Sequence, residues 1–435
     1  MKKVLYITYY WEPCGGIGPL RSLKFAKYFK QCGWDPTIYA PQNAAYPLFD
    51  YKADHKLPKD ITILKKNIFE PYAVFNVLTG NKRKEVVKDV FAVSDGKEPW
   101  TKQLGIWVRG NFFVPDARKF WIKPSVKYLK KYIEENKIDA IISHGPPHST
   151  HLIALALKKH FGIPWIADFQ DPWTQVDYFH KFKLGKRAGA LHHKQEAEVL
   201  KHADKVVIVS RSWTKDLGEL AQRPVNYIPW GFDPEDFSEL KPYHKSDKFI
   251  LSHFGTFGSD RNPTELWEAL GKFAKENSDF ANRLEIQLAG SIDISIVNAI
   301  EKNGLKNNLN NLGFINRTDA LQRMGNSDIL LLALNRADNV NGRIPAKIFE
   351  YLACKRPVLV IGPHTADVPN IVKECKAGLT AEFNNVDEAY QAIKYMFEDY
   401  MGDSHQFKFE NIEQYHADKI TNQMSDLLDE IIIYK

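Results

Sequence analysis

"IDAIISHGPPHSTHLIALALKKHFGIPWIADF", residues 138–169, carries the reading that decides the fold class. Ala140–Ser143 is a short apolar run, and a proline-stiffened loop follows it. Apolar residues then recur at helical spacing over Ser149–Phe161, with Ser149 or Thr150 placed to cap that helix. A Gly-Ile-Pro turn leads into a second apolar run, Trp165–Phe169. Two buried strands separated by a helix of this length are joined by a crossover and run parallel.

The same alternation extends in both directions. Upstream, Val4–Tyr10, Pro36–Ala40 and Ile61–Leu64 read as strands; downstream, Glu196–His202 reads as helix and Val206–Ser210 as strand. A second series follows at Phe249–Phe254, Leu284–Ala289, Ile329–Leu334 and Val358–Ile361. The pattern predicts an α/β protein with two doubly wound domains in tandem, covering residues 1–232 and 245–406. Between them, Pro229–Lys248 is rich in proline and polar residues and lacks a period. Phe407–Tyr434 is helical by pattern and is expected to cross back onto the first domain. Pro71–Pro115, with its charge cluster and turn signals, reads as an irregular excursion.

The 435 residues and 44% hydrophobic content fit a globular chain of two domains. No apolar stretch is long enough for a membrane span. The opening "MKKVLYITYYWEP" stops at Glu12-Pro13 without a small-residue cleavage site, so it reads as a first strand rather than a leader. Cys14, Cys32, Cys354 and Cys375 show no paired spacing, which points to neither disulfides nor zinc, and the chain reads as cytoplasmic. Charge is divided: residues 1–230 sum to +15 and the remainder to −9. The basic half suits an anionic membrane surface, a polyanion or a phosphorylated substrate. One segment, "PSVKYLKKYIEENK", sets Lys127, Lys130 and Lys131 beside Tyr128 and Leu129, a pattern compatible with contact at a membrane interface.

Doubly wound sheets bind ligands beyond the carboxyl ends of their strands, so chemistry is sought in the loops there. After the first strand, "CGGIGPLRS" lets backbone approach a ligand at Gly15, Gly16 and Ile17 and leads into a helix that offers N–H groups. "SHGPPHSTH" brings His144, His148 and His151; with no carboxylate set nearby, a metal site is not indicated, and His144 or His148 reads as a polar wall of the cleft. "DFQDPW" places Asp168 and Asp171 at and beyond a strand end, where carboxylates act as bases or bind sugar hydroxyls. In the second domain, "FGTFGSDRNP" supplies Gly255, Gly258 and Arg261, "AGSID" supplies Gly290, and "LGFI" reads as a turn before a helix. Last comes "GRIPAKIFEYLACKRPVLVIGP", where Pro345 suits a first helical turn. Lys347 and Glu350 share one face of that helix, away from a buried stripe of Pro345, Ile348, Phe349 and Leu352. A lysine at a helix start opposes the dipole, a conflict that an anionic ligand would relieve together with free N–H groups.

"IPAKIFEYLACKRPVL" resembles the donor-site motif of family 4 glycosyltransferases, retaining enzymes with the two-domain GT-B fold of facing Rossmann-like halves. "GGIG", "PDARKFWIKP", "HGPPHSTH" and "DFQDPW" match a bacterial surface-polysaccharide subgroup, and "GTFGSDRNP", "LGFI" and "SDILLLALN" follow in the family's order. The resemblance implies a nucleotide-diphosphate sugar as donor, a glycan or lipid-linked acceptor, no cofactor and no metal. It implies that Glu350 holds the donor ribose, that Arg261 and Lys347 hold the diphosphate, and that Gly313 and Phe314 line the nucleobase. Gly255, Thr256, Gly290, Arg343 and Ile344 complete the donor side, and the Gly15–Ile17 loop approaches from the other domain. Asp168, Asp171 and His144 are the candidates for catalysis on the acceptor side. Three positions depart from the family pattern. Gly342 stands where the first of two glutamates is usual, Gln170 replaces an arginine, and Thr256 replaces a basic residue of the phosphate loop. A sugar-nucleotide 2-epimerase of the same fold and an inactive nucleotide-sugar binding protein are the alternative readings.

Overall fold

A computed structural model describes residues 1–51, 55–70, 100–177, 179–402 and 406–433. It resolves into two compact units, Met1–Trp230 with Ala417–Lys435, and Gly231–His416.

Unit 1 is built on a seven-stranded parallel sheet. Its strands are β1 (Lys2–Ile7), β2 (Trp34–Pro41), β3 (Thr62–Lys66), β4 (Ala140–Gly145), β5 (Trp165–Phe169), β6 (Lys205–Ile208) and β7 (Asn226–Tyr227), in the order β3-β2-β1-β4-β5-β6-β7. The strands are near-continuous apolar runs because helices cover both faces of the sheet. One face packs Leu5, Ile7, Ile141, Trp165 and Ala167 against the helices Lys119–Glu135, Ser149–Phe161 and Lys186–His202. The other packs Val4, Tyr6, Ile142 and Ile166 against the helices Leu20–Tyr28 and Ala417–Ile433. The C-terminal helix thus returns to unit 1 as expected, although it starts at Ala417; only a 3-10 turn, Ile412–Tyr415, precedes it.

Unit 2 has a six-stranded parallel sheet of β8 (Phe249–Phe254), β9 (Leu284–Ala289), β10 (Leu309–Gly313), β11 (Ile329–Ala333), β12 (Val358–Ile361) and β13 (Gly378–Ala381), ordered β10-β9-β8-β11-β12-β13. Its core gathers Leu251, Trp267, Leu270, Phe273, Ile286, Leu331 and Phe397. The two-domain α/β Rossmann-like architecture is the one the alternation predicts.

Three differences from the sequence reading are local. "LGFI" is not simply a turn, since Leu312 and Gly313 end β10. Of the Pro71–Pro115 excursion, residues 71–99 lie outside the described residues, while Trp100–Phe112 is a regular helix. On the basic segment, Leu129 is fully buried and Tyr128 stacks on Tyr39 at 6.0 Å, so its apolar residues face inward and only its lysines remain for a surface.

Candidate functional site

Each unit assembles polar groups where its strand order reverses. In unit 2 the reversal lies between β8 and β11. Lys347 opens the helix Lys347–Ala353; its Nζ donates to Phe254 O at 2.8 Å and lies 3.3 Å from His253 Nε2. His253 is buried on β8, with Nδ1 at 3.1 Å from Leu331 O on β11 and its ring stacked on Phe257 at 3.9 Å. A carbonyl only accepts, so Nδ1 carries the proton and Nε2 presents a lone pair to Lys347. Burial first, and the Arg261 charge second, push the Lys347 pKa down to about 7, with Glu350 working in the opposite direction. Burial, with Lys347 beside it, also drives His253 well below the usual imidazole range.

Around this lysine the strand ends are laid closely over one another. Gly255 N donates to Ala289 O at 2.7 Å, and Gly290 N donates to Gly313 O at 2.7 Å. Gly290 has φ +122, and a Cβ there would sit 2.3 Å from Gly255 O, so only glycine lets these loops meet. A Cβ at Gly255 would lie 3.4 Å from Lys347 Nζ, which places that loop directly beside the ammonium. Arg261 closes the 3-10 turn Ser259–Arg261, within 3.8 Å of Asp260. Thr256 and Phe314 are exposed, Arg343 is half-buried and Ile344 is buried, while Gly342 ends the 3-10 turn Val340–Gly342. Glu350 is held by Arg317 at 2.7 Å, and Arg317 also reaches Asp236 at 3.3 Å. Two of the N–H groups expected to be free at this helix start are in use. Ile348 N donates to Pro345 O and Phe349 N to Ala346 O, because Pro345 lies before the helix and a tight turn leads into it.

In unit 1 the reversal lies between β1 and β4. Pairing of β4 with β5 sets His144 opposite Asp168, and residues opposite in a parallel pair project to the same face. His144 Nδ1 is 2.9 Å from Asp168 Oδ2. Arg21, on the helix that follows the glycine loop, grips the same carboxylate with Nε at 3.0 Å and Nη2 at 2.9 Å, and donates from Nη1 to Pro229 O at 2.6 Å. Burial works to raise the Asp168 pKa. The Arg21 charge and the bonds from His144 and Arg21 outweigh it and hold the carboxyl well below the usual range. An ionised carboxylate only accepts, so His144 donates from Nδ1 and its Nε2 is left as an acceptor. That Nε2 is buried and has no hydrogen-bond partner.

Asp171 is half-buried in the bend after β5. The His148 ring stacks on Trp173 at 4.5 Å and lies 5.7 Å from the His151 ring, while His151 Nδ1 meets Ser143 Oγ at 2.8 Å, so the three loop histidines are neighbours. No group of three His, Cys, Asp or Glu side chains suited to a metal ion occurs among the described residues. Gly15 N donates to Leu48 O, Gly16 takes φ +75 with open space beside it, and Ile17 is exposed.

Arg21, His253 and Arg317 escape the sequence reading. Arg21 and His253 leave a faint signal, as polar residues at buried positions of an apolar helix stripe and an apolar strand; Arg317 leaves none.

Residues 74–236 match the family described as Glycosyltransferase Family 4, and residues 235–414 match Glycosyl transferases group 1. No curated protein matches the chain in sequence. Solved structures share the fold over whole chains. Sucrose-phosphate synthase from Thermosynechococcus elongatus is similar over 100% of both chains at 13% identity, with a TM-score of 0.63. HepE from Anabaena, solved in complex with UDP, is similar over 99% of this chain and 100% of its own at 14% identity and a TM-score of 0.63. WaaG, a glycosyltransferase involved in lipopolysaccharide biosynthesis, is similar over 98% and 99% at 13% identity and a TM-score of 0.55.

Proposed function

The chain belongs to the family 4-like glycosyltransferases of GT-B fold, and we propose that it transfers a sugar from a nucleoside-diphosphate sugar to a glycan or lipid-linked acceptor with retention of anomeric configuration. The observation that carries the donor half of this reading is Lys347. It is a half-buried cation at the strand-order reversal of unit 2, with Arg261 nearby and no carboxylate within its own hydrogen bonds. Such a site is costly when empty and gains most from an anion. In this reading the bond from the anomeric carbon to the diphosphate breaks while Lys347 and Arg261 offset the charge growing on the leaving oxygens. The acceptor hydroxyl adds from the same face and gives its proton to the departing diphosphate oxygen. His144 Nε2, its tautomer set by Asp168 and Arg21, is the acceptor-side group for a sugar hydroxyl, with Asp171 as a further candidate. No step needs a metal or a cofactor.

The UDP carried by HepE supports a nucleotide as ligand. The basic balance of residues 1–230 supports an acceptor held at an anionic membrane, with the protein peripheral at the cytoplasmic face and serving bacterial surface-polysaccharide synthesis. No helix among the described residues is long and apolar enough to cross a membrane.

Two measurements test the reading. Incubation with a panel of nucleotide sugars, with and without glycan or lipid-linked acceptors, should yield product only when an acceptor is present. Conversion of the nucleotide sugar alone would favour the epimerase. Lys347→Ala and Arg261→Ala should each weaken UDP binding by roughly tenfold or more, since charge-assisted bonds contribute about 1.5–3 kcal/mol, and leave uridine binding near wild type. Equal losses for UDP and uridine would remove the diphosphate assignment.

A further inference from the structure

Lys347 has three N–H bonds to place, and two of them are accounted for inside unit 2. One goes to Phe254 O at 2.8 Å, and the other faces His253 Nε2 at 3.3 Å. The imidazole is not a loose neighbour. Its Nδ1–H is committed to Leu331 O on the adjacent strand, and its ring is clamped on Phe257 with centroids 3.9 Å apart. The bond to Leu331 O therefore favours the Nδ1–H tautomer within unit 2, and the Thr256 backbone also faces the ring.

Resting on the donor-site reading above, we propose that His253 is a positioning residue: its Nε2 accepts from Lys347 and, with Phe254 O, aims the remaining N–H of Lys347 at the donor's phosphates. The choice of a neutral acceptor has a chemical consequence. A carboxylate in place of His253 would neutralise the lysine and compete with the diphosphate for it. A buried imidazole directs the ammonium without cancelling its charge.

The groups facing Lys347 keep that charge unmet. Arg261 repels it from the loop after β8. Glu350, on its own helix, attracts it but is itself bound to Arg317. Tyr351 is a neutral phenol whose oxygen accepts from Phe254 N. With the lysine pKa pushed down to about 7, the empty site holds the proton only partially near neutral pH. A diphosphate raises the lysine's affinity for the proton, so binding above about pH 7 draws one in from solvent. Affinity then falls as pH rises through that value.

The test is calorimetric titration of UDP into the full chain from about pH 6 to about pH 9, in buffers of differing ionisation enthalpy. Wild type should take up a proton above about pH 7, and Lys347→Met should not. His253→Leu removes the lone pair while filling the space; UDP affinity should drop about tenfold and the pH midpoint should move. His253→Gln, whose amide oxygen can accept, should recover part of both. Because His253 is buried, one arm needs no substitution at that position. In 15N-labelled wild type the His253 ring should report the Nδ1–H tautomer, and its Nε2 resonance should shift in Lys347→Met. Wild-type affinity and pH midpoint in a folded His253→Leu, or an Nε2 resonance indifferent to Lys347→Met, would overturn the role of His253 while leaving the diphosphate site intact. UDP affinity unchanged in Lys347→Met would overturn the diphosphate site itself, and the role of His253 with it.

Discussion

Asp168 and Arg21 are both almost inaccessible to solvent, and each neutralises the other through two hydrogen bonds. Asp168→Asn keeps the shape but leaves a buried guanidinium uncompensated, a loss that typically costs about 3–5 kcal/mol. The variant should melt well below wild type, and the double change Asp168→Asn with Arg21→Met should recover part of the difference. A wild-type melting temperature for Asp168→Asn would show that the pair does not hold unit 1 together. Buried histidines add a pH term. Burial is the first cause in lowering the pKa of His148, His151 and His192 in unit 1 and of His253 in unit 2, to about 3 for His151. In the unfolded chain these groups titrate near 6.5. Below that value the unfolded state binds more protons, so their contribution is complete above about pH 6.5 and declines as pH falls toward the folded-state values. The urea midpoint should therefore drop between about pH 7 and about pH 5, and an unchanged midpoint would contradict it. Asp168 was legible as a candidate because it ends an apolar strand. Its partner was not, because 147 positions separate Arg21 from it and only the fold closes that distance.

Among the helices, Trp100–Phe112 presents an unusual surface. Trp100, Leu104 and Trp107 recur at helical spacing yet are exposed, at 74%, 48% and 41%, and Phe112 beside them is also exposed. The adjoining side is packed, since a Cβ at Gly110 would lie 2.8 Å from both Leu184 and Phe182. That packing brings the exposed Lys183 alongside the helix, where its Nζ donates to Gln103 Oε1 at 3.5 Å, and the exposed Lys181, Lys186 and Arg187 lie near it in the chain. Exposed aromatic side chains with basic residues in the adjoining segment suit an anionic lipid interface, so we propose this helix, rather than the Lys127–Lys131 segment, for the membrane contact. Trp100→Ser with Trp107→Ser should reduce sedimentation with anionic vesicles severalfold at low salt, while Lys127→Ser with Lys131→Ser should reduce it less. The reverse ranking would return the contact to the basic segment. Strand elements were legible wherever they are long and apolar. β7, β10 and β13, reading NY, LNNLG and GLTA, were not, because these edge strands bury little side chain and lack the apolar run that made the edge strand β3 legible.

For the whole molecule, the C-terminal helix is the clearest case of distant sequence completing a core. Ile420, Met424, Leu427 and Leu428 bury against Leu23, Phe25, Phe29 and Trp34, and Asp429 accepts from Trp34 Nε1 at 2.9 Å. Removing residues 417–435 strips four large apolar side chains from unit 1, about 6–12 kcal/mol at about 1.5–3 kcal/mol each, comparable to the stability of a whole domain. The truncated chain should lose the cooperative melting of unit 1 and should aggregate or bind a hydrophobic dye. A truncated protein that melts like the full chain would contradict this account. By itself the sequence determined the alternation of strands and helices, the presence of two doubly wound units, the return of the last helix and the loops in which polar chemistry concentrates. These follow from local periodicity and from the rule that parallel strands are buried on both faces. Only the tertiary structure decided which polar residues pair. Arg21 with Asp168, His253 with Lys347 and Arg317 with Glu350 are each made by strand register and crossover packing between segments far apart in the chain. No local pattern encodes such partners, because the energy that selects them arises only when burial brings the charges together.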